Sequence, residues 1–372
     1  MEINNDILEV CRFFGIEGDL SEIQIMRDGH INTTFVVFFV ENGELRKYLV
    51  QGINTHVFKK PDKLMDNIVG VTTFLREKIK ENGGDPDRET LTFLPAKDGK
   101  YFYYHKDKCW RVYHYIDSSY TINIIKKPSV FENAGRSFGL FQKNLSGYPM
   151  ESLYEIIKDF HNTPKRLENL KASIAADVKG RVAEVKDEIE FSLAREKEAK
   201  VALKLYRDGL IPLRVTHNDT KLNNILFDRK TNESICVIDL DTIMPGFSLY
   251  DFGDAIRFGA NTAAEDEKDL SKVQISLTLF ESFTRGFLSA CATALTRAEV
   301  KHLAFSSMLM TFECGVRFLT DYLDGDVYFK IAYPDHNLVR ARNQFKLVYE
   351  IEQHLDEMNE IVDRIYKEAI NS

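Results

Sequence analysis

The hydrophobic pattern of this chain changes character about a third of the way along it. Before that point, runs rich in β-branched and aromatic residues predominate, such as residues 35–40, which lead to the turn signal Asn42-Gly43, and residues 110–116. Later residues instead place apolar side chains at helical spacing. Because 372 residues are long for one compact core, we predict an α+β protein with two lobes. A small β-rich N-terminal lobe takes residues 1–116, and a larger, mainly helical lobe takes residues 117–372.

The composition argues against several classes of protein. The formal net charge of −8 gives no overall attraction to nucleic acid or to an anionic membrane. The five cysteines are scattered and include no Cys-x-x-Cys pair, which favours reduced thiols in a cytoplasm over disulfides or a zinc site. Residues 1–6 lack a signal-peptide pattern, and no apolar run is long enough to span a bilayer. We expect a cytoplasmic protein, monomeric or weakly homo-oligomeric, that acts on a small molecule.

Two polar segments in the helical part, residues 216–224 and residues 237–241, are rich in groups that hold phosphate and metal. Phosphoryl transfer needs a carboxylate to orient the acceptor hydroxyl and a metal to neutralise phosphate oxygens. Asp219 can be that carboxylate. Residues 225–227 and 234–238 are predicted to form the two strands of a short hairpin. Asn224, five positions after Asp219, and Asp239, at the end of that hairpin, offer the oxygen ligands that Mg²⁺ prefers. The two segments predict an enzyme that uses ATP and Mg²⁺.

The spacing of the first segment resembles the catalytic loop of protein kinases, because His217, Asp219 and Asn224 follow the pattern H-x-D-x-x-x-x-N. Ile238-Asp239 after a short strand resembles the metal-binding segment of the aminoglycoside phosphotransferase and choline kinase superfamily. This resemblance implies a protein-kinase-like, two-lobed fold. A literal Asp251-Phe252-Gly253 also occurs. It resembles the second aspartate of that superfamily's pattern, which steadies the catalytic segment, and we do not expect it to bind metal.

A narrower resemblance is to N-acetylhexosamine 1-kinases. It is carried, in the same order along the chain, by residues 54–59, 217–224, 238–246, 250–257 and 317–323. It implies transfer of the ATP γ-phosphate to the anomeric hydroxyl of GlcNAc or GalNAc. Other acceptors stay open, namely another sugar, choline, homoserine or an aminoglycoside. A nucleotide-binding module without catalysis is a third reading.

The resemblance also implies roles for individual side chains. Asp219 takes the proton of the acceptor, His217 braces the loop, and Lys221 contacts the transferring phosphate. Mg²⁺ is held by Asn224 and Asp239. The sugar pocket is expected to contain Arg317 first, followed by His30, Asp241, Glu313 and Tyr322. The residues expected to contact the nucleotide are Gly29, Asn32, Thr33, Gln51, Tyr115 and Asp117.

The chain departs from the protein-kinase pattern in its small lobe. Residues 28–34 contain a single glycine where a glycine-rich loop is usual, and Gln51 stands where a strand lysine normally pairs the phosphates. We expect Lys47, Lys59 or Lys60 to supply the missing charge.

Three further local features are predicted. His161 is expected to cap a helix or form a turn. Residues 183–207, which are charged and heptad-like, are expected to form one solvated amphipathic helix. Thr296 and Glu299 form a capping box that opens another helix.

Overall fold

The structure is a computed structural model that describes residues 2–26, 31–125 and 127–371. The chain forms two compact units, and both are discontinuous in sequence. The first unit consists of Met1–Tyr120, Gly147–Ile157 and Leu226–Met244. The second consists of Thr121–Ser146, Lys158–Ile225 and Pro245–Ser372.

The first unit is built around an antiparallel sheet of five strands in the order β1-β2-β3-β5-β4. The strands are β1 (Asp19–Met26), β2 (Thr33–Glu41), β3 (Glu44–Ile53), β4 (Tyr103–His105) and β5 (Lys108–His114). Its helices are α1 (Glu2–Phe13), α2 (Pro61–Glu81) and α3 (Pro86–Glu89). The turn predicted between β2 and β3 is confirmed: Asn42 and Gly43 have φ of 52° and 83°, as a tight hairpin turn requires.

The core of this sheet is made of β-branched side chains that the strands turn to one face. Val37, Val50 and Val112, from β2, β3 and β5, are fully buried. Val10 and Cys11 of α1 belong to the same cluster, so α1 covers that face. Strand β2, which is buried along most of its length, and the amphipathic helix α1 supply apolar area that stabilises the unit.

A smaller sheet in the first unit carries one of the predicted polar segments. It joins β6 (Ser119–Tyr120), β8 (Ile225–Asp228) and β9 (Ser234–Val237) in the order β6-β8-β9. The predicted hairpin is thus confirmed. At its turn Asp228 accepts hydrogen bonds from the backbone N–H groups of Lys230 and Thr231, at 2.7 and 3.0 Å. These bonds lower the pKa of the Asp228 carboxyl.

The second unit is mainly helical. Its long helices are α4 (Pro128–Asn144), α5 (Thr163–Ala176), α9 (Ser248–Gly259), α10 (Leu277–Cys291), α12 (Leu303–Asp324), α13 (His336–Gln353) and α14 (Leu355–Ile370). Shorter helices are α6 (Lys186–Ala194), α7 (Glu196–Ala199), α8 (Val201–Arg207) and α11 (Arg297–Lys301). Two short strands, β7 (Arg214–Thr216) and β10 (Met244–Gly246), pair with each other. Helix α12 is buried along most of its length and packs against α5, α9 and α13.

The prediction of one helix over residues 183–207 is wrong. The segment forms the three short helices α6, α7 and α8, with breaks at Arg195 and Lys200. Arg195 donates two hydrogen bonds, at 2.8 and 2.7 Å, to the carboxylate of Glu352 on α13. Ala199 and Ala202 are buried beside the breaks. Tertiary contacts therefore override a local pattern that favours a continuous helix.

The predicted capping box is confirmed at the start of α11. The Thr296 hydroxyl accepts from the Glu299 backbone N–H, and the Glu299 side chain accepts from the Thr296 N–H. Glu299 also binds Arg214 and Ser248, so one buried carboxylate joins α11, β7 and α9. The α+β architecture, with an antiparallel sheet in the first unit and helices in the second, confirms the predicted fold class. None of the helices formed by the described residues is long and apolar enough to cross a membrane.

Candidate active site

The loop after β7, residues 217–221, is held in place by a buried carboxylate. Asp251, in the first turn of α9, accepts hydrogen bonds from the backbone N–H groups of His217 and Asn218 at 3.0 and 2.8 Å. A third bond comes from the Gln142 amide at 2.7 Å. Burial raises the pKa of Asp251, and these donors and the charge of His217 partly oppose that rise. Asp251 therefore holds the backbone of this loop, as its sequence pattern predicted.

A second carboxylate of the same helix, Asp254, binds the loop backbone two residues further along, at Thr220. Asp254 accepts from the Thr220 N–H at 3.1 Å and pairs with Arg257 at 2.9 Å. Burial alone would raise the pKa of Asp254, but the charges of Arg257 and Lys221 outweigh it and leave the pKa below its usual value. Helix α9 thus presents two aspartates, Asp251 and Asp254, to one loop.

The other residues of the Asp-Phe-Gly sequence have packing roles. Phe252 lies against three phenylalanine rings of α10, at centroid distances of 5.4 to 6.0 Å. Gly253 faces α12 so closely that a Cβ atom would collide with the Ser306 carbonyl. The close packing of α9 against α12 therefore explains why residue 253 is a glycine.

The loop brings three predicted site residues together. The Asp219 carboxylate lies 2.9 Å from the Lys221 ammonium and 3.2 Å from the amide nitrogen of Asn224. The same nitrogen donates to the Asp219 carbonyl at 2.8 Å, which leaves the Asn224 amide oxygen on the opposite side. The side chains of Lys221 and Asp219 are 37% and 28% exposed, so a ligand can reach both.

The charges around Lys221 keep it protonated. Burial lowers the pKa of Lys221, but the carboxylates of Asp219 and Asp254 outweigh that effect and raise it. The loop therefore holds an exposed carboxylate and an ammonium group side by side, a pair suited to a hydroxyl and a phosphoryl group respectively.

His217 lies beneath this loop. It is fully buried, and its Nδ1 atom accepts from the Asp219 backbone N–H at 3.3 Å. Phe138 and Phe141 contact its ring edge-on, at 5.8 and 6.1 Å. These contacts suit the bracing role that was predicted for it.

The predicted substrate residues of α12 have different surroundings. Glu313 is 1% exposed and is bound by His161 and Thr163. Tyr322 is also buried and lies against the Arg181 guanidinium. Both have internal partners, and their substrate roles stay predictions.

Arg317 differs from these two. Its guanidinium is half-buried and lies between the rings of Phe160 and Phe329, at 5.6 and 5.4 Å. Within the described parts of the chain, no group accepts a hydrogen bond from it.

His161 lies in the turn before α5, as predicted. The helix cap itself is its neighbour Asn162, whose side chain accepts from the Lys165 N–H. His161 joins Glu313 to the Asn218 carbonyl, at 2.8 and 3.1 Å. Local sequence patterns did not indicate these partners, because Glu313 is 152 positions away.

In the first unit, the segment after β9 is anchored by a buried arginine. Asp239 has a left-handed backbone, with φ of 58°. Two residues later, Asp241 forms an ion pair with Arg111 and accepts from the Asn32 amide at 2.6 Å. The Arg111 and Asp241 side chains are 3% and 4% exposed. Burial lowers the pKa of Arg111, but the Asp241 carboxylate outweighs it and raises that pKa.

Gln51 orients this arginine. Its carbonyl oxygen accepts from Arg111 at 2.9 and 2.6 Å, and its amide donates to Thr34 at 2.9 Å. Sequence reasoning treated Gln51 as a nucleotide contact and missed Arg111. The sequence did contain a signal for this role: Arg111 is a charged residue among the apolar side chains of β5.

The other predicted nucleotide contacts lie elsewhere in the first unit, or outside what is described. Gly29 and His30 lie outside the described residues. Thr33 begins β2 and is exposed. Lys47, expected to supply the missing charge, instead pairs with Asp117 and lies 5.6 Å from the Tyr115 ring.

Comparison with known proteins relates the chain to phosphotransferases. Residues 104–273 match the APH family model, described as a phosphotransferase enzyme family. This stretch contains the Asp219 loop, the β8–β9 hairpin and helix α9.

Solved structures of low sequence identity share the fold. A microcompartment-associated aminopropanol kinase is 16% identical with a TM-score of 0.56, over 95% of this chain and 98% of that one. Choline kinase LicA from Streptococcus pneumoniae is 12% identical with a TM-score of 0.57, over 95% and 100% of the two chains. Spectinomycin phosphotransferase APH(9)-Ia, in complex with ADP and its antibiotic, is 14% identical with a TM-score of 0.56, over 95% and 98%. The predicted kinase-like fold is confirmed, and residues 104–273 are similar to the APH phosphotransferase family.

Proposed function

We propose that this protein is an ATP-dependent kinase of a small hydroxyl compound, with Asp219 as the base. The observation that carries the proposal is the Asp219, Lys221 and Asn224 cluster on a loop fixed by two buried aspartates. The acceptor oxygen forms a bond to the γ-phosphorus, the bond from that phosphorus to the ADP oxygen breaks, and Asp219 receives the hydroxyl proton. The ADP in the solved spectinomycin phosphotransferase supports ATP as the donor.

Mg²⁺ is proposed as the metal, with Asn224 and Asp239 as its protein ligands. Their donor atoms are an amide and a carboxylate oxygen, which suit Mg²⁺ because it takes few protein ligands and keeps several waters or phosphate oxygens. Among the described residues, no group of three or more His, Cys, Asp or Glu side chains forms a metal site. When bound, the metal would neutralise charge on the phosphate oxygens.

The proposed acceptor is an N-acetylhexosamine, GlcNAc or GalNAc, phosphorylated at the anomeric hydroxyl. The resemblance to N-acetylhexosamine 1-kinases supports this choice. Arg317 adds a physical argument, because its half-buried guanidinium offers directional donors to ring and acetamido oxygens. The same fixed positive charge disfavours a cationic acceptor bound against it, such as choline.

A panel assay tests the acceptor. Purified protein, ATP and Mg²⁺ are incubated with GlcNAc, GalNAc, other sugars, choline, homoserine, aminopropanol and an aminoglycoside. We expect the two N-acetylhexosamines to stimulate ADP release most, with the product phosphate on the anomeric carbon in ³¹P NMR spectra. Phosphate on the 6-hydroxyl would contradict the 1-kinase assignment. Stabilisation by ATP without turnover of any acceptor would favour a binding module.

Arg317→Gln tests the sugar contact. We expect the KM for the sugar to rise on the order of 10- to 100-fold, since each lost charge-assisted hydrogen bond costs about 1.5–3 kcal/mol. The KM for ATP should stay the same. Arg364→Gln, on the exposed face of α14, is a matched control that should change neither constant. Equal increases in both KM values would argue against a specific sugar contact.

A further inference from the structure

Both ring nitrogens of His161 make hydrogen bonds. Nδ1 lies 2.8 Å from a carboxylate oxygen of Glu313, and Nε2 lies 3.1 Å from the Asn218 carbonyl. A carbonyl oxygen can only accept hydrogen bonds, so Nε2 is the donor to Asn218. The ring therefore connects α12 to the Asp219 loop.

Glu313 holds the other ring nitrogen. Its second carboxylate oxygen accepts from the Thr163 hydroxyl at 2.7 Å. Burial by itself would raise the pKa of Glu313, but the charge and hydrogen bond of His161, with the charge of Arg317, outweigh it and lower the pKa. The side chains of His161 and Glu313 are 6% and 1% exposed, so their contact is shielded from water.

The groups that face this pair come from the neighbouring elements of the second unit. Phe160 and Tyr250 pack against the His161 ring, at centroid distances of 4.5 and 5.2 Å. Asp254 of α9 is also near the ring, and the charge of His161 helps to lower the pKa of that carboxyl. Arg317, on the same helix as Glu313, and Arg166 of α5 are cations that interact with Glu313. The ring is therefore enclosed by neighbouring elements of the second unit.

The Asn218 carbonyl belongs to the peptide bond that leads into Asp219. The N–H side of this loop is already held by Asp251 and Asp254. On the opposite side, the His161 N–H holds the carbonyl. Asn218 has a left-handed backbone, with φ of 64°, a conformation that costs free energy and persists only where neighbours impose it.

We propose that His161, anchored by Glu313, is a positioning residue for Asp219: it fixes the peptide before Asp219 and so aims the carboxylate at the acceptor hydroxyl. This role rests on the proposed function of Asp219 as the base. His161 does not contact the reacting atoms, and its effect passes through the loop backbone. Displacement of a reacting group by about 1 Å can reduce turnover on the order of 10²-fold.

His161→Phe removes both hydrogen bonds and keeps an aromatic ring between Phe160 and Tyr250. With the best acceptor of the panel, we expect kcat to fall on the order of 10- to 100-fold. The KM values for ATP and the acceptor should stay within about twofold, because binding groups are not removed. His354→Phe is a matched control, since the His354 ring bonds the Glu350 carbonyl one turn earlier, away from the Asp219 loop. Its kcat should equal that of the unmodified protein.

A double-mutant cycle with Asp219→Asn separates positioning from general structural damage. If His161 acts through the Asp219 carboxylate, His161→Phe should change the residual kcat of Asp219→Asn by less than about twofold. An equal loss in both backgrounds would overturn the proposal, and so would a His161→Phe variant with unchanged kcat.

The hydrogen bond from His161 to the Asn218 carbonyl can be measured without any variant or substrate. We expect ¹⁵N-resolved NMR spectra of the unmodified protein to show a slowly exchanging Nε2–H proton of a buried histidine in contact with Tyr250. A His161 Nε2 atom without a proton would overturn the proposal even if His161→Phe fails to fold. Absence of turnover with every acceptor would instead defeat the proposed function and the positioning role with it, and the His161 hydrogen bond would still be decided.

Discussion

Replacement of Asp219 by asparagine is expected to lower kcat by about 10²- to 10⁴-fold, the range that general acid–base groups contribute. The asparagine is isosteric, but its amide cannot take the acceptor proton. It also cannot serve both neighbours of Asp219, because Lys221 and the Asn224 amide nitrogen each donate to a carboxylate oxygen. Turnover is measured as acceptor-dependent ADP release, and the affinity for ATP is measured by calorimetry.

The fold of Asp219→Asn should be unchanged, since the loop backbone is held by Asp251 and Asp254 and not by the Asp219 carboxylate. Asp208→Asn is the control: it removes an exposed carboxylate that pairs with Lys204 on α8, and it should leave kcat unaffected. Full activity in Asp219→Asn would show that another group takes the proton. A lower melting temperature together with lost ATP binding would show that the effect is structural.

Replacement of Arg111 by methionine is expected to lower the free energy of unfolding by about 3–5 kcal/mol. The substitution leaves the Asp241 carboxylate buried with a single side-chain donor, Asn32, and no compensating charge. It also leaves the Gln51 carbonyl without its two donors. Urea denaturation followed by the fluorescence of Trp110 measures the effect, because Trp110 is the single tryptophan of the chain and lies next to Arg111 in β5.

A second substitution tests the cause. Asp241→Leu combined with Arg111→Met replaces the buried pair by apolar groups, and it should recover a large part of the lost stability. Arg46→Met is the control on β3, where the arginine is 53% exposed and its ion pairs contribute little. If the double variant is no more stable than Arg111→Met alone, the uncompensated Asp241 charge is not the cause of the loss.

Local signals in the sequence account for most of the correct predictions. The Asn42-Gly43 turn, the β8–β9 hairpin and the Thr296–Glu299 capping box are each formed by residues close together in the chain. Their geometry follows from backbone preferences and short-range hydrogen bonds, so neighbours in sequence are sufficient to predict them. The loop of Asp219 belongs to the same group, because five positions separate Asp219 from the asparagine that bonds it.

Long-range contacts account for what sequence patterns missed. Residues 183–207 have the pattern of one helix, but the helix is broken at Arg195, which binds Glu352, 157 positions away. Gln51 occupies the position of a phosphate-binding lysine and instead orients Arg111, 60 positions away. A helical pattern or a strand position reports on neighbours in sequence and contains no information about such partners.

The sequence by itself determined the chemistry that this protein can offer: a carboxylate, a lysine and an asparagine at fixed spacing, followed by a hairpin and a second acidic segment. Only the tertiary structure decided what holds that chemistry in place. His161 with Glu313, Arg111 with Asp241, and Asp251 with the loop backbone are pairs separated by 152, 130 and 33 positions. The physical reason is that a buried charge must have a partner, and packing in three dimensions selects which side chain that partner is.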